Sequence, residues 1–287
     1  MILLTGASGT VGRALLPLLL GAGHDVRALV RDPRGLGRHR VDVQIALGDR
    51  HLQRQALRGV DTVIHLAAAI RDEPYARVEE LNGLATNRLL RAAERAGVEH
   101  FVFFSAIGAS ETQRTRFFRA KALAEHAVAT SPLQTTVFAP SIVYDPSDRW
   151  VRLIKRLALL PALPISGSGK AKFEPIWAHD VARCVVASLE RTDEKARYEL
   201  AGPQILTYDE IARTVARGTG HERPLLHVPL GFVHLALVTL RRIFGEAVFA
   251  TWEEAELMEV AMVSAGGTAD AEALGVQPLA VDAVLGA

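Results

Sequence analysis

An α/β fold with a doubly wound parallel sheet is predicted by three features of this sequence. Short apolar runs alternate with helical patterns through the first 100 residues, the sequence signature of βαβ units. A glycine-rich turn stands between the first apolar run and the first helix. After Pro140 the regular alternation gives way to prolines at 146, 161, 164 and 175 and the loop Ser166-Gly167-Ser168-Gly169, which predicts a smaller, less regular C-terminal part. Residues 1–145 are therefore expected to form the nucleotide-binding core. Residues 146–287 are expected to complete the sheet and form a substrate-binding cap.

The strands are expected at Ile2–Leu4, Asp25–Val30, Gln44–Ala46, Thr62–His65, His100–Phe104 and Thr135–Phe138. The first helix should run from about Val11 to Leu20 and close at Gly21 and Gly23, which suit a left-handed cap. Pro17 falls beyond its first turn, where the missing N–H and the ring should kink or weaken it. One long helix is expected over Val78–Ala96 with Gly97 as its cap. Another starts near Phe117, carries Phe118, Ala122, Glu125 and Val128, and stops before Ser131-Pro132. In the C-terminal part, Tyr198–Leu200 reads as a strand and Tyr208–Arg217 as a helix opened by a capping box of Thr207 and Glu210.

Composition excludes several classes. With 49% hydrophobic and 23% charged residues the chain can bury a large core. Lys plus Arg is 33 against 32 for Asp plus Glu, a balance that gives no general attraction to nucleic acid. The single cysteine, Cys184, lies in an apolar helical context and reads as a packing residue. Met1 leads straight into Ile2-Leu3-Leu4 without a signal pattern, so a cytoplasmic protein is expected. The ten histidines are scattered singly and predict no metal site. The longest apolar stretch, Val228 to Leu240, is shorter than the roughly 20 residues of a spanning helix and reads as a core or cap helix. Peripheral membrane contact through Phe232–Leu240 with Arg241 and Arg242 is a weaker reading.

The chemistry starts at Thr5-Gly6-Ala7-Ser8-Gly9-Thr10-Val11-Gly12. Glycines here allow a tight turn, close approach of backbone to a diphosphate and close helix–sheet packing, while the helix N-terminus offers free N–H groups to the phosphates. Gly6, Ser8, Gly9, Thr10, Val11 and Gly12 are thus candidate dinucleotide-binding residues of a Rossmann-type core. The second strand ends at Val30 and Arg31, without the acidic residue that pairs with the ribose hydroxyls of NAD. A guanidinium suits the 2′-phosphate of NADP, so Arg31, with Arg34 nearby, favours NADP(H) over NAD(H). Asp49 is either a carboxylate near the adenine or a helix N-cap. Ala67 and Ala68 begin a run of small residues where backbone passes close to a flat ligand or is simply well packed.

Together these segments resemble the short-chain dehydrogenase/reductase superfamily in its extended or atypical branch, which includes the NAD-dependent epimerases and dehydratases. The resemblance is carried in order by Thr5 to Gly12, Ala28 to Asp32, Gly48-Asp49, Val63 to Ala68, Asn82, Phe103-Phe104-Ser105, Lys121 and Pro140 to Tyr144. It covers the first 145 residues. Pro175 to Ala182, Tyr198 to Pro203 and Gly267 to Asp270 look like the atypical group related to the nucleotide-binding accessory subunit of respiratory complex I.

The resemblance implies a Tyr-x-x-x-Lys pair, in which the lysine lowers the phenol pKa for proton exchange with the substrate. Here the pair reads Phe117 to Lys121, so the phenol is missing. Lys121 retains the implied role of binding the nicotinamide ribose. Ser105 matches the serine that hydrogen-bonds the substrate oxygen, or Ala106 does if the register slips by one. Asn82 matches an asparagine that holds a backbone kink or a water. Pro140 and Ser141 match the segment that touches the nicotinamide carboxamide, although Ala139 and Asp145 depart from the usual flanks. Tyr75, Tyr144, His65 and His179 are alternative proton donors without a defining spacing. The implied function is an NADP(H)-dependent oxidoreductase or epimerase-like enzyme with an altered acid/base, acting on a small or apolar substrate. The alternative is a non-catalytic nucleotide-binding scaffold or redox-sensing regulator.

Overall fold

The computed structural model describes residues 1–30, 32, 36, 41–45, 54–73, 75–191, 195–244 and 252–286. Its centre is a seven-stranded sheet built from β1 (Ile2–Thr5), β2 (Val26–Val30), β3 (Asp42–Ile45), β4 (Thr62–His65), β5 (His100–Phe104), β6 (Gln134–Pro140) and, from the C-terminal part, a strand at Lys195–Leu200. Two-residue and four-residue strands intervene before it: β7 (Val143–Tyr144), β8 (Leu163–Ser166), β9 (Lys172–Phe173) and β10 (Ile176–Trp177). The Lys195–Leu200 strand is thus β11, and β12 (Leu206–Thr207) and β13 (Leu225–Val228) follow it. The spatial order is β3-β2-β1-β4-β5-β6-β11 with every pairing parallel. Chain direction across the sheet reverses between β1 and β4, the crevice in which doubly wound sheets bind ligands.

Parallel strands covered on both faces read as continuous apolar runs rather than alternating ones, and all four residues of β1 and all five of β5 are buried. The two-residue strand period still sorts them. Ile2, Leu4, Ala28, Ile64, Val102 and Phe138 face helix α1 (Thr10–Gly21), whereas Leu3, Val63, Phe101, Phe103 and Val137 face the helices on the other side. Those are α2 (Ala85–Ala96) and α3 (Arg116–Ala129). The expected helix over Val78–Ala96 is not uniform: a π-helical turn at Glu80–Leu84 precedes α2, and Gly97 at φ 76° closes α2 as expected. At the end of α1, Gly23 takes the left-handed conformation, while Gly21 is the last helical residue.

The second part holds α4 (Arg149–Leu157), α5 (Ala178–Ser188), α6 (Tyr208–Arg217), α7 (Leu230–Phe244) and three short helices at 252–257, 269–273 and 281–285. It is interleaved with the core. β11 extends the sheet beyond β6, and Val181, Ala182, Cys184 and Val185 of α5 pack in one cluster with Leu15, Leu16 and Leu19 of α1. The Thr207–Glu210 capping box forms as expected, with Thr207 accepting from the Glu210 N–H and Glu210 accepting from the Thr207 N–H. Small strand pairs, β7 with β10, β9 with β12 and β8 with β13, hold the rest together. No helix of the described residues is long and apolar enough to cross a membrane. On α7, Phe232 and Leu235 are 68% and 66% exposed.

Pro17 does not break α1. Its ring projects to solvent, and its buried neighbours Leu15, Leu16 and Leu19 anchor the helix on α5. Tertiary packing carries the cost of the missing hydrogen bond to residue 13. Pro17→Ala should raise the free energy of unfolding by about 1–2 kcal/mol, the helix gain offset in part by a more flexible unfolded chain. Chemical denaturation measures it; an unchanged or lower midpoint contradicts this account of α1.

A glycine cradle and a buried lysine at the sheet's C-terminal edge

The turn after β1 is built without side-chain volume. Gly6 has φ +73°, and a Cβ there would lie 2.7 Å from the Ala67 backbone nitrogen and 2.9 Å from the Leu66 carbonyl carbon. A Cβ on Gly12 would lie 2.3 Å from the Gly6 carbonyl oxygen and 2.6 Å from the Ala7 Cα. Gly9 closes the turn with its N–H on the Gly6 carbonyl at 2.9 Å. The first main-chain bond of α1 is Arg13 N–H to Gly9 C=O at 3.0 Å, so the amides of Thr10, Val11 and Gly12 precede the helical ladder. No side chain caps α1 and no acidic residue stands in its first turn. Ser8 and Gly9 are exposed beside these amides. Free amides, a helix dipole and an absence of competing carboxylates fit a dinucleotide diphosphate.

The loop leaving β4 lies against this turn. Leu66 N–H donates to the Thr5 carbonyl at 3.2 Å and Ala67 N–H to Thr5 Oγ1 at 3.3 Å. Two residues on, Asn82 grips Ala69 from both edges: Ala69 N–H donates to Asn82 Oδ1 at 3.1 Å, and Asn82 Nδ2 donates to the Ala69 and Val78 carbonyls at 2.6 and 2.9 Å. Asn82 is 1% exposed, and both Nδ2 hydrogens and its Oδ1 are bonded inside the protein, so it positions the loop rather than reaching a ligand. Ala68, between the two pinned residues, is exposed.

Lys121 and Ser105 lie at the neighbouring strand end. Lys121 on α3 is 3% exposed; its Nζ donates to the Phe104 carbonyl at 2.6 Å and sits 5.0 Å from the Phe103 ring centre and 5.8 Å from that of Phe117. Burial disfavours the ammonium and brings its pKa down to about 7, with Glu125 opposing the shift. The Ser105 hydroxyl, next along from Phe104, is buried without a hydrogen-bond partner. Such an orphan costs stability unless a ligand satisfies it. Phe117 is half-buried beside Phe118 and supplies an aromatic face but no proton.

Other expected residues are placed differently. Pro140 is buried and its carbonyl accepts from Ile107 N–H at 3.0 Å. The Ser141 hydroxyl donates to the Met262 carbonyl at 2.7 Å and accepts from Glu174 N–H at 3.1 Å, so it ties the second part to the core. Arg31, Arg34, Gly48 and Asp49 lie outside the described residues. Of the alternative proton donors, Tyr144 is fully buried among apolar side chains, its hydroxyl unpartnered and its pKa pushed upward by burial. Tyr75 is 65% exposed, and His179 stacks on Trp177 with ring centres 5.0 Å apart. His65 is buried and held neutral, its pKa brought down to about 3 by burial first and by the charge of Lys121 second.

Two features were not anticipated from sequence. Arg116 bridges Asp72 and Glu79, at 3.0 Å to Asp72 and 2.6 Å from Nε to Glu79, clamping the loop after β4 to the start of α3 one residue before Phe117. Phe117, Ile142, Trp150, Tyr208 and Met258 are half-buried around the buried cluster of Ile107, Phe118, Phe173, Ile211 and Met262. Both join residues more than 30 positions apart, beyond any local pattern. A cavity of about 590 Å3 lies elsewhere, on the second part between Gln204, Arg213, His221, Arg223 and Asp282, with charges of both signs. Among the described residues no group of His, Cys, Asp and Glu is arranged to hold a metal ion.

Two outcomes follow from this geometry. Gly12→Ala should abolish nucleotide binding in a titration, because its methyl group cannot coexist with the Gly6 carbonyl. Lys121→Met should stabilise the chain without nucleotide by a few kcal/mol, on the order of the desolvation behind the lowered pKa. The folded pKa lies below the unfolded value of 10.5, so this gain is full below about pH 7 and fades as pH rises toward 10.5. Denaturation of both proteins across that range measures it, and a Lys121→Met protein less stable at pH 7 contradicts the burial argument.

Comparison with known proteins agrees with this architecture. A family model described as NAD(P)H-binding matches residues 6–192. A (4-alkanoyl-5-oxo-2,5-dihydrofuran-3-yl)methyl phosphate reductase of Streptomyces griseus is 33% identical over 80% of this chain and 77% of its own length. A mitochondrial NADH dehydrogenase [ubiquinone] 1 alpha subcomplex subunit 9 of Arabidopsis thaliana is 29% identical over 72% of the chain, which spans about half, 55%, of that relative. In fold, the chain matches the crystal structure of a nucleoside-diphosphate-sugar epimerase from Staphylococcus aureus with a TM-score of 0.76 at 20% identity, covering 100% of this chain and 99% of that one. The glycine cradle at the β1–β4 reversal and the family match over residues 6–192 together make this chain a member of the NAD(P)H-binding family, within the extended short-chain dehydrogenase/reductase-like proteins.

Proposed function

We propose that this protein is an NADP(H)-dependent oxidoreductase that reduces an apolar carbonyl or conjugated substrate, with Lys121 and Ser105 in place of the missing phenol. The observation that carries the reading is a buried amine of pKa about 7 next in line to an unpartnered buried hydroxyl, beside the glycine cradle. Bound NADPH would supply a hydride. Gly6, Ser8, Gly9, Thr10, Val11 and Gly12 would hold its diphosphate, Ala67 and Ala68 would pass under the adenosine side, and Pro140 and Ser141 would border the nicotinamide through their main chain. Lys121 would hold a ribose hydroxyl and, as an ammonium near its pKa, release the proton that reduction requires. The Ser105 hydroxyl would donate to the substrate oxygen, and Asn82 would position the loop beneath it.

The substrate side is apolar. Phe117, Ile142, Trp150, Tyr208 and Met258 offer aromatic and aliphatic surface to such a substrate. The Streptomyces relative is named as a reductase of an alkanoyl-bearing oxo-dihydrofuran methyl phosphate, which supports reductive chemistry on a conjugated carbonyl, while the apolar class rests on the lining residues. The preference for NADP(H) rests on Arg31 directly after a second strand that ends without an acid. The same reading assigns the protein to the reducing cytoplasm, in keeping with one buried thiol, Cys184.

NADPH should bind more tightly than NADH in a fluorescence titration. Arg31→Ala should weaken NADPH about tenfold or more, the loss of a charge-assisted pair, and leave NADH within about twofold. Equal losses for both nucleotides remove Arg31 from the 2′-phosphate. With an apolar carbonyl panel, kcat should fall as pH rises through about 7, where the ammonium is lost, and Lys121→Met should abolish turnover. Tight nucleotide binding without turnover of any panel member overturns the enzyme reading in favour of a nucleotide-binding scaffold.

A further inference from the structure

A chain of four hydrogen bonds crosses the interior behind the glycine cradle, and its direction is fixed by its Asn82 end and by the neutrality of the buried His65 ring. At one end Thr86 Oγ1 donates to the Asn82 carbonyl at 2.6 Å, since a carbonyl only accepts. The Thr86 oxygen can then only accept from the ring nitrogen facing it, His65 Nε2 at 2.9 Å, so Nε2 carries a proton. At the other end Ala67 N–H, which only donates, points at Thr5 Oγ1 at 3.3 Å. With Nε2 protonated and the buried ring neutral, Nδ1 is bare, and Thr5 gives it its own proton at 2.7 Å. The imidazole is neutral with one donor and one acceptor, and each hydroxyl between the ends both gives and receives.

Everything packed against the ring favours this single state. His65 is 5% exposed, stacks on Phe103 at 6.1 Å and meets Phe101 at 6.2 Å. The titratable group facing it is Lys121, whose Nζ lies over the same Phe103 ring, 5.0 Å from its centre. A second proton on the ring would put Nδ1–H against a Thr5 oxygen already facing Ala67 N–H, and would leave the Thr5 proton without an acceptor.

We propose that His65 is a positioning residue for the nucleotide: as the neutral link of the chain Ala67–Thr5–His65–Thr86–Asn82, it locks the diphosphate turn to the loop after β4. The links fall at the places that matter to a ligand. Thr5 is joined to Gly6, whose Cα faces the Ala67 backbone, and Asn82 holds Ala69 at both edges. The chain also occupies the Ala67 N–H, which leaves the amides of α1 to the diphosphate. Turn, loop and π-turn are thereby one preorganised body, and a ligand seated on it orders nothing further. The inference rests on nucleotide binding at the cradle.

Its test uses the whole chain. Without nucleotide, the ring nitrogen signals of His65 should show a protonated Nε2 and a bare Nδ1, unchanged from about pH 8 to about pH 5, and the Ala67 amide should be protected from exchange. His65→Phe keeps an aromatic ring in the layer but breaks two links, and should weaken NADPH about tenfold or more while speeding exchange at Ala67; Thr86→Val, which removes one link at a distance from the turn, should give a smaller loss in the same direction. Val63→Ala, a fully buried neighbour on β4, lowers stability without touching the chain and should leave affinity within about twofold. A protonated Nδ1, or native affinity in both His65→Phe and Thr86→Val, overturns the proposal. So does an affinity loss in Val63→Ala equal to that in His65→Phe, because it makes the effect one of stability alone. Failure of the unaltered protein to bind NADPH or NADH is a different result, which sinks the reading of the cradle itself.

Discussion

The contact between Gly6 and the backbone of Ala67 governs the rest of the molecule. It lies where the sheet order reverses between β1 and β4, and no side chain fits there. Because the turn can approach so closely, α1 starts at the crevice with its first amides uncovered. Because the loop after β4 is held by that approach, its small residues line the same crevice from the opposite side. A methyl group at Gly6 or Gly12 would push the two apart and remove the geometry on which nucleotide binding depends.

The polar groups around that contact are few and confined in apolar surroundings. Lys121 lies between Phe103 of β5 and Phe117 at the start of α3, His65 lies against Phe101 and Phe103, and the buried Ser105 follows the last residue of β5. Burial works on each according to its charge. It takes a proton from Lys121 toward neutrality, keeps His65 neutral, and leaves Ser105 with an unspent hydroxyl. Such an arrangement costs folding stability that an all-apolar interior would retain, a pattern found at sites where function sets the residue choice.

The second part contributes walls and fastening more than polar groups for the crevice. Ser141 bonds both Met262 and Glu174, Glu174 accepts from Ser264 N–H at 2.6 Å, and Ser264 donates to Glu199 on β11 at 2.8 Å. This buried network joins the segment after β6 to the last strand of the sheet and to the chain beyond 260. The apolar cluster of Phe173, Ile211, Leu257 and Met262 then meets Phe118 and Ile107 from the core, and the half-buried Phe117, Trp150, Tyr208 and Met258 form its open margin.

Local sequence determined the elements and the cradle. The strands of the core, the helix after the glycine turn, the Gly97 cap and the Thr207–Glu210 capping box all follow from patterns within one or two turns of chain, and each appears within a few residues of its expected place. Tertiary structure decided the remainder, because its causes are interactions between distant residues. Pro17 is tolerated because Leu15, Leu16 and Leu19 find α5, some 165 positions away in the chain. The π-turn at Glu80–Leu84 exists where Asn82 must reach both Ala69 and Val78. The Ser141 hydroxyl found its partners in Met262 and Glu174, and His65 gained its single protonation state from its burial beside Thr5 and Thr86. A sequence records which side chains can donate, accept or fill space; which partner satisfies each is chosen when the sheet closes and water leaves.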